Sequence, residues 1–153
     1  MTDAQRHITE GRSMTAAFYA DKAKALDFFE RNVSVDMSSL HARFVEGLPP
    51  PPEASIWDAG CGSGRDARAF ASLGYQVSAF DASPELCRLA SKHCGFKVAQ
   101  RTFQDVSEEA AYDGIWCCAS LLHVPSDEMP EVLGQLWRAL KPGGSLFATF
   151  KPR

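Results

Sequence analysis

The chain has 153 residues, 45% of them hydrophobic and 23% charged, with a formal net charge of −3. That size and balance suit one globular domain with its own core. The mild acidity and the scatter of the 16 Lys and Arg argue against a nucleic-acid-binding face, and no apolar run matches a membrane span or the core of a signal peptide.

Five cysteines (Cys61, Cys87, Cys94, Cys117 and Cys118) contain no C-x-x-C pair, a pattern expected of reduced thiols in a cytoplasmic protein. Cys87 and Cys94 flank His93 on one expected helix, but buried thiols acting as small hydrophobes are the simpler reading. No metal is expected.

Residues 1–14 are polar and read as a flexible terminus. Residues 15–48 are expected to form a helical cap. One helix lies within Thr15–Asn32; a second is capped by Asp36, carries Leu40, Phe44 and Val45 on one face, and ends at Gly47. The prolines of "LPPPPEAS" then stop helical structure. From residue 53 to 153 strands and helices alternate. "ASIWDA" is a strand, "GRDARAFASLG" a helix and "YQVSAF" a strand. "SPELCRLASKHCG" is a helix capped by Ser83, with Pro84 in its first turn. "FKVAQ" is a third strand and "YDGIWCCAS" a fourth, apolar enough for burial on both faces. In "EMPEVLGQLWRAL", Leu133, Leu136, Trp137 and Leu140 recur at helical spacing and are expected to face the core. "SLFATF" is the fifth strand. This order predicts an α/β fold, an open and mostly parallel sheet joined by right-handed crossovers. Ligands bind such sheets beyond the carboxyl ends of the strands, here the loops after Ala59, Phe80, Gln100 and Ala119.

The first of those loops, "DAGCGSGRD", carries Gly60, Gly62 and Gly64. A dinucleotide fingerprint needs glycine where Arg65 stands, and no Walker loop is present. Asp81, 21 residues after Gly60, ends the second strand, where a carboxylate accepts from both ribose hydroxyls of a nucleoside. Asp105 in "FQDV" follows the third strand and suits an adenine amino group. Together they describe a site for an adenosine with no essential phosphate.

"WDAGCGSGRD", "VSAFDAS", "FQDV", "YDGIWCCASLLHVP" and "LKPGGSLFATFK" resemble the successive motifs of class I S-adenosylmethionine-dependent methyltransferases, especially the small tellurite-resistance-like ones. The resemblance implies a Rossmann-like sheet of order 3-2-1-4-5 under an N-terminal helical cap, and a small-molecule methyl acceptor. It implies that Gly60, Cys61 and Gly62 hold the methionine end of the cofactor. Asp81 with Ala82 would take the ribose, Asp105 the adenine, and Cys118 and Ala119 the amino group, with Tyr19 closing over the cofactor. His123 in "LLHVP" reads either as a base for the acceptor or as a plain loop histidine.

Class I enzymes have two further strands, in the order 3-2-1-4-5-7-6, whereas this chain is expected to stop after the fifth. An apolar, uncharged edge strand invites pairing, so the expectation is a species that is not a clean monomer. A homodimer through the fifth strand, a partner that supplies the missing strands and a marginally stable truncated product all remain open. A cofactor-binding module without turnover of its own is the alternative to the transferase.

Overall fold

The computed structural model describes residues 21–150. Asp21 caps α1 (Lys22–Asn32), its carboxylate accepting from the N–H groups of Ala23 and Lys24. Helix α2 (Ser38–Val45) follows. Met37, not Asp36, stands at its cap position, although the Asp36 carboxylate still accepts from Ser38 N–H.

After the proline segment come β1 (Ser55–Ala59), α3 (Arg65–Ser72), β2 (Gln76–Asp81), α4 (Pro84–Cys94), β3 (Ala99–Gln100), β4 (Tyr112–Cys118), α5 (Met129–Ala139) and β5 (Leu140–Thr149). Single 3-10 turns lie at Phe103–Asp105 and Leu121–His123. The five strands form one parallel sheet in the order β3-β2-β1-β4-β5, the expected doubly wound arrangement.

The period-two alternation of β1 and β4 divides the core. Ile56 and Trp116 face α2 and α3, packing with Phe44 and Phe70. Trp57 and Ile115 face the other way, onto Val132 and Leu136 of α5. Aromatic rings tie neighbouring strands: Trp116 stacks on Phe147 at 4.0 Å between centroids, and Trp57 on Tyr112 at 4.5 Å. Such pairs add about 0.5–1.5 kcal/mol beyond simple burial.

Two expectations need correction. The third strand is only two residues long: Val98 N–H donates to the Ser91 hydroxyl of α4 at 2.9 Å, so the chain joins the sheet only beyond it. The apolar stripe of α5 is also rotated from the expected one. Val132, Leu136 and Ala139 are its buried residues, while Leu133 is 38% exposed and Trp137 74%. Gln135 fixes the rotation by donating from its amide to the carbonyls of Gln104 and Val106. Leu133 and Trp137, each two residues away and so about 200° round the helix, lie on the opposite flank.

No helix among the described residues is long and apolar enough to cross a membrane. All five cysteines are free. The thiol of Cys94 lies on the Gly64 carbonyl, whereas the ring of His93 meets Phe29 and Arg68.

Candidate functional site

The loop after β1 is held largely by backbone hydrogen bonds, two of them to the end of β2. Gly60 and Cys61 both donate their N–H groups to the Phe80 carbonyl at 2.9 Å, and Gly64 donates to the Cys61 carbonyl at 2.9 Å. Gly60 has φ +73°, and a Cβ there would lie 2.5 Å from the Ser120 Cβ, so both conformation and space demand glycine. Gly64, at φ +79°, fits against α4 where a Cβ would meet Cys94 and Ala90 within about 3 Å. Gly60 and Gly64 are thus both needed, the second for helix packing. The Cys61 side chain is buried with Ala67, Ala79 and Ala90, so this residue can offer a ligand only its backbone.

Asp81 stands at the end of β2, facing the loop. Its Oδ2 accepts from Gly62 N–H at 2.9 Å and its Oδ1 from Ser83 N–H at 3.0 Å. Burial pushes the carboxyl up from its usual range, opposed by those backbone donors, by the nearby His123 and by the Ala82 backbone. Asp105 lies farther along the same rim, in the 3-10 turn after β3, where its Oδ2 accepts from the Thr102 N–H and hydroxyl. Beside it is a polar cavity of about 170 Å³ lined by Gln104, Glu128, Glu131, Val132 and Gln135.

At the end of β4, Cys118 leads into Ala119, which has the left-handed φ of +52°. His123 follows in a 3-10 turn. Desolvation lowers its pKa, opposed by Asp81, which favours a neutral imidazole able to accept a proton. The structure therefore gathers Gly60, Cys61, Gly62, Asp81, Ala82, Cys118, Ala119 and His123 at the carboxyl edge of β2, β1 and β4. Tyr19 lies outside the described residues.

Three residues beside this edge escaped the sequence reading. Phe28 of α1 lies against Gly62, its ring 3.0 Å from where a Cβ would stand, and so covers the loop from the cap. Asp66 anchors that cap to the sheet. It accepts from His41 at 2.7 Å, from Arg65 at 2.9 and 3.0 Å, and from Trp116 Nε1 at 2.9 Å. Arg65 also reaches the Asn32 carbonyl and the Cys118 sulfur. Asp58, 2% exposed, has an Oδ2 without a hydrogen-bond partner. Burial, with Asp66 and then Asp81 nearby, holds its carboxyl well above the usual range, against the Ala67 backbone and Arg65. Buried carboxylates perturbed in this way cluster at functional sites. The one sequence signal for Asp58 was its place immediately before the glycine loop.

A family model described as a methyltransferase domain matches residues 56–144. The chain belongs to that family. The match runs from β1 into β5 and includes every candidate residue named above except Tyr19, Phe28 and His41. Among curated relatives, the ubiquinone biosynthesis O-methyltransferase of Xanthomonas axonopodis pv. citri is 33% identical over 118 residues, covering 72% of this chain and 48% of its own. The chain thus spans about half the length of the curated relatives it matches. Two solved methyltransferases share the fold. A TehB-like SAM-dependent methyltransferase from Corynebacterium glutamicum has a TM-score of 0.69 at 24% identity, over 82% of this chain and 73% of that one. The magnesium protoporphyrin IX methyltransferase of Synechocystis PCC 6803, solved with bound SAM, has a TM-score of 0.68 at 18% identity, over 85% and 72%. Within the methyltransferase domain, then, the glycine loop and Asp81 occupy adjacent strand ends of the shared sheet.

Proposed function

We propose that this methyltransferase domain binds S-adenosylmethionine across the carboxyl ends of β2, β1 and β4 and methylates a hydroxyl of a small molecule. The observation that carries the reading is the meeting of Asp81 with the glycine loop, its Oδ2 2.9 Å from Gly62 N, in a chain of this family. The residues present fit the cofactor. Gly62 sets a backbone N–H with no side chain against the Asp81 carboxylate, and Asp58, two residues before Gly60, keeps an unpartnered buried oxygen.

In this reading Gly60, Cys61 and Gly62 take the methionine end, Asp81 and Ala82 the ribose, Asp105 the adenine, and the backbone of Cys118 and Ala119 the amino group. The cofactor supplies an already activated methyl group, so the chain's main work is alignment and exclusion of water, and orientation alone lowers such barriers by up to about 7–11 kcal/mol. The name of the curated relatives, O-methyltransferase, supports an oxygen acceptor, and His123 takes the proton that this oxygen releases. Incubation with S-adenosylmethionine and a pool of small phenolic and aliphatic alcohols should yield S-adenosylhomocysteine above the acceptor-free level. Binding without product would replace the transferase by a cofactor-binding module.

A second copy of the chain is the proposed partner. β5 is an edge strand among the described residues, and Leu146 within it is exposed along with Leu133 and Trp137 of α5. In an antiparallel pairing of two β5 edges the two α5 helices also run antiparallel. Light scattering at micromolar concentration should give twice the chain mass; a monodisperse monomer overturns the pairing.

A further inference from the structure

The turn at the end of β4 is clamped from both sides, and one of the clamping residues lies beyond the family match. On the β1 side, Ser120 donates its hydroxyl to the Ala59 carbonyl at 2.8 Å and packs against Gly60. On the β5 side, Thr149 stands in register with Cys118. Ala119 N–H donates to the Thr149 hydroxyl at 2.8 Å and to its carbonyl at 3.1 Å. The same hydroxyl donates to the Cys118 sulfur at 3.7 Å. Between the clamps sits Ala119 at φ +52°, a conformation that costs a residue with a Cβ about 1 kcal/mol or more. A non-glycine residue keeps such a backbone only where its surroundings impose it, and here the hydroxyl of Thr149 is part of what does so.

We infer that Thr149 is a positioning residue for the cofactor: its hydroxyl holds Ala119 in the left-handed turn that aims the Cys118–Ala119 backbone into the cleft. The inference rests on the assignment of that backbone to the cofactor's amino group. A valine at 149 keeps the shape and β propensity of threonine but removes the donor to Cys118 and the closer of the two acceptors for Ala119 N–H, leaving only the backbone carbonyl at 3.1 Å. With that hydroxyl gone, Ala119 is held by one hydrogen bond instead of two and relaxes toward negative φ.

The test is calorimetry with S-adenosylmethionine on the full chain. T149V should bind roughly tenfold more weakly than the parent, the scale of one lost hydrogen bond, and T149S should stay within about twofold because the hydroxyl remains. The decisive variant is the double T149V/A119G. Glycine adopts positive φ without help, so the double variant should recover most of the lost affinity. A purely structural role for Thr149 predicts no such rescue. T149V binding as tightly as the parent overturns the inference and leaves the cofactor reading standing, as does equal weakening in T149S and T149V. If T149V fails to fold, T149A and T149A/A119G take its place: T149A should weaken binding and the added A119G restore most of it, and parent-like binding of T149A or no rescue in the double variant overturns the inference. A parent that does not bind S-adenosylmethionine removes the cofactor reading and this inference together.

Discussion

Replacing Asp66 with alanine is expected to destabilise the fold by about 3–5 kcal/mol, the usual effect of removing one member of a buried charge network. The carboxylate is the common acceptor for His41, Arg65 and Trp116. Its loss leaves the buried indole N–H of Trp116 without an acceptor and the Arg65 guanidinium, 16% exposed, without its counter-charge. A domain of this kind is stable by only about 5–15 kcal/mol, so about a fifth or more of the total is at stake, measurable by urea unfolding. The effect depends on pH with a definite sign. Burial pushes the Asp66 carboxyl up, but hydrogen bonds from His41, Arg65 and Trp116 outweigh it and hold the group below its usual value. A depressed folded-state value stabilises above the unfolded pKa of about 3.9, and that contribution disappears as pH falls through the folded value. The gap between parent and Asp66→Ala should therefore be widest near neutrality and narrow in acid. A gap below about 1 kcal/mol at pH 7 would mean that the network adds little to the net contribution of an ordinary hydrogen bond.

The strand and helix order was legible in the sequence because each element carries a local cause. Ser83 and Pro84 start α4 as expected, and Gly95 ends it in the left-handed conformation. The apolar run of β4 is buried on both faces as its composition implied. The failures came where a tertiary contact decides between local options. In α5 two apolar stripes compete, Val132–Leu136–Ala139 and Leu133–Trp137. The amide of Gln135, bonded to backbone carbonyls of a distant turn, selects the first; no helical periodicity contains that information. β3 was shortened by a side chain, Ser91, that captures the N–H of Val98.

The site shows the same division. Glycine spacing and the carboxyl-end rule located Gly60, Gly62 and Asp81, because strand order alone brings those loops together. Asp66, Phe28 and Thr149 stayed hidden because their roles depend on partners 30 to 50 residues away, such as Trp116 for Asp66 and Ala119 for Thr149. Asp66 reads in sequence as an ordinary first-turn acidic residue. Only the fold shows it buried under α2, receiving His41.

Asp81→Ala should weaken S-adenosylmethionine binding at least about a hundredfold, since hydrogen bonds to a charged group contribute about 1.5–3 kcal/mol each and a ribose offers two hydroxyls. The alternative is that Asp81 serves only the fold, bracing the loop through Gly62 and capping the next turn through Ser83. The two roles separate with ligands rather than with stability. If the carboxylate holds the ribose diol, the Ala variant should discriminate far less than the parent between S-adenosylhomocysteine and its 2′-deoxy analogue. If Asp81 only braces the loop, both ligands weaken by one factor and the discrimination stays unchanged, which would remove the ribose assignment. Asp81→Asn should fall between the two, keeping an acceptor for Gly62 N–H while losing the charge. The bond to Gly62 does not bar the ligand: each carboxylate oxygen carries two lone pairs, so Oδ2 can accept from Gly62 and from a hydroxyl together. Asp81 thus braces the loop and offers its remaining lone pairs to the ribose without having to release the brace.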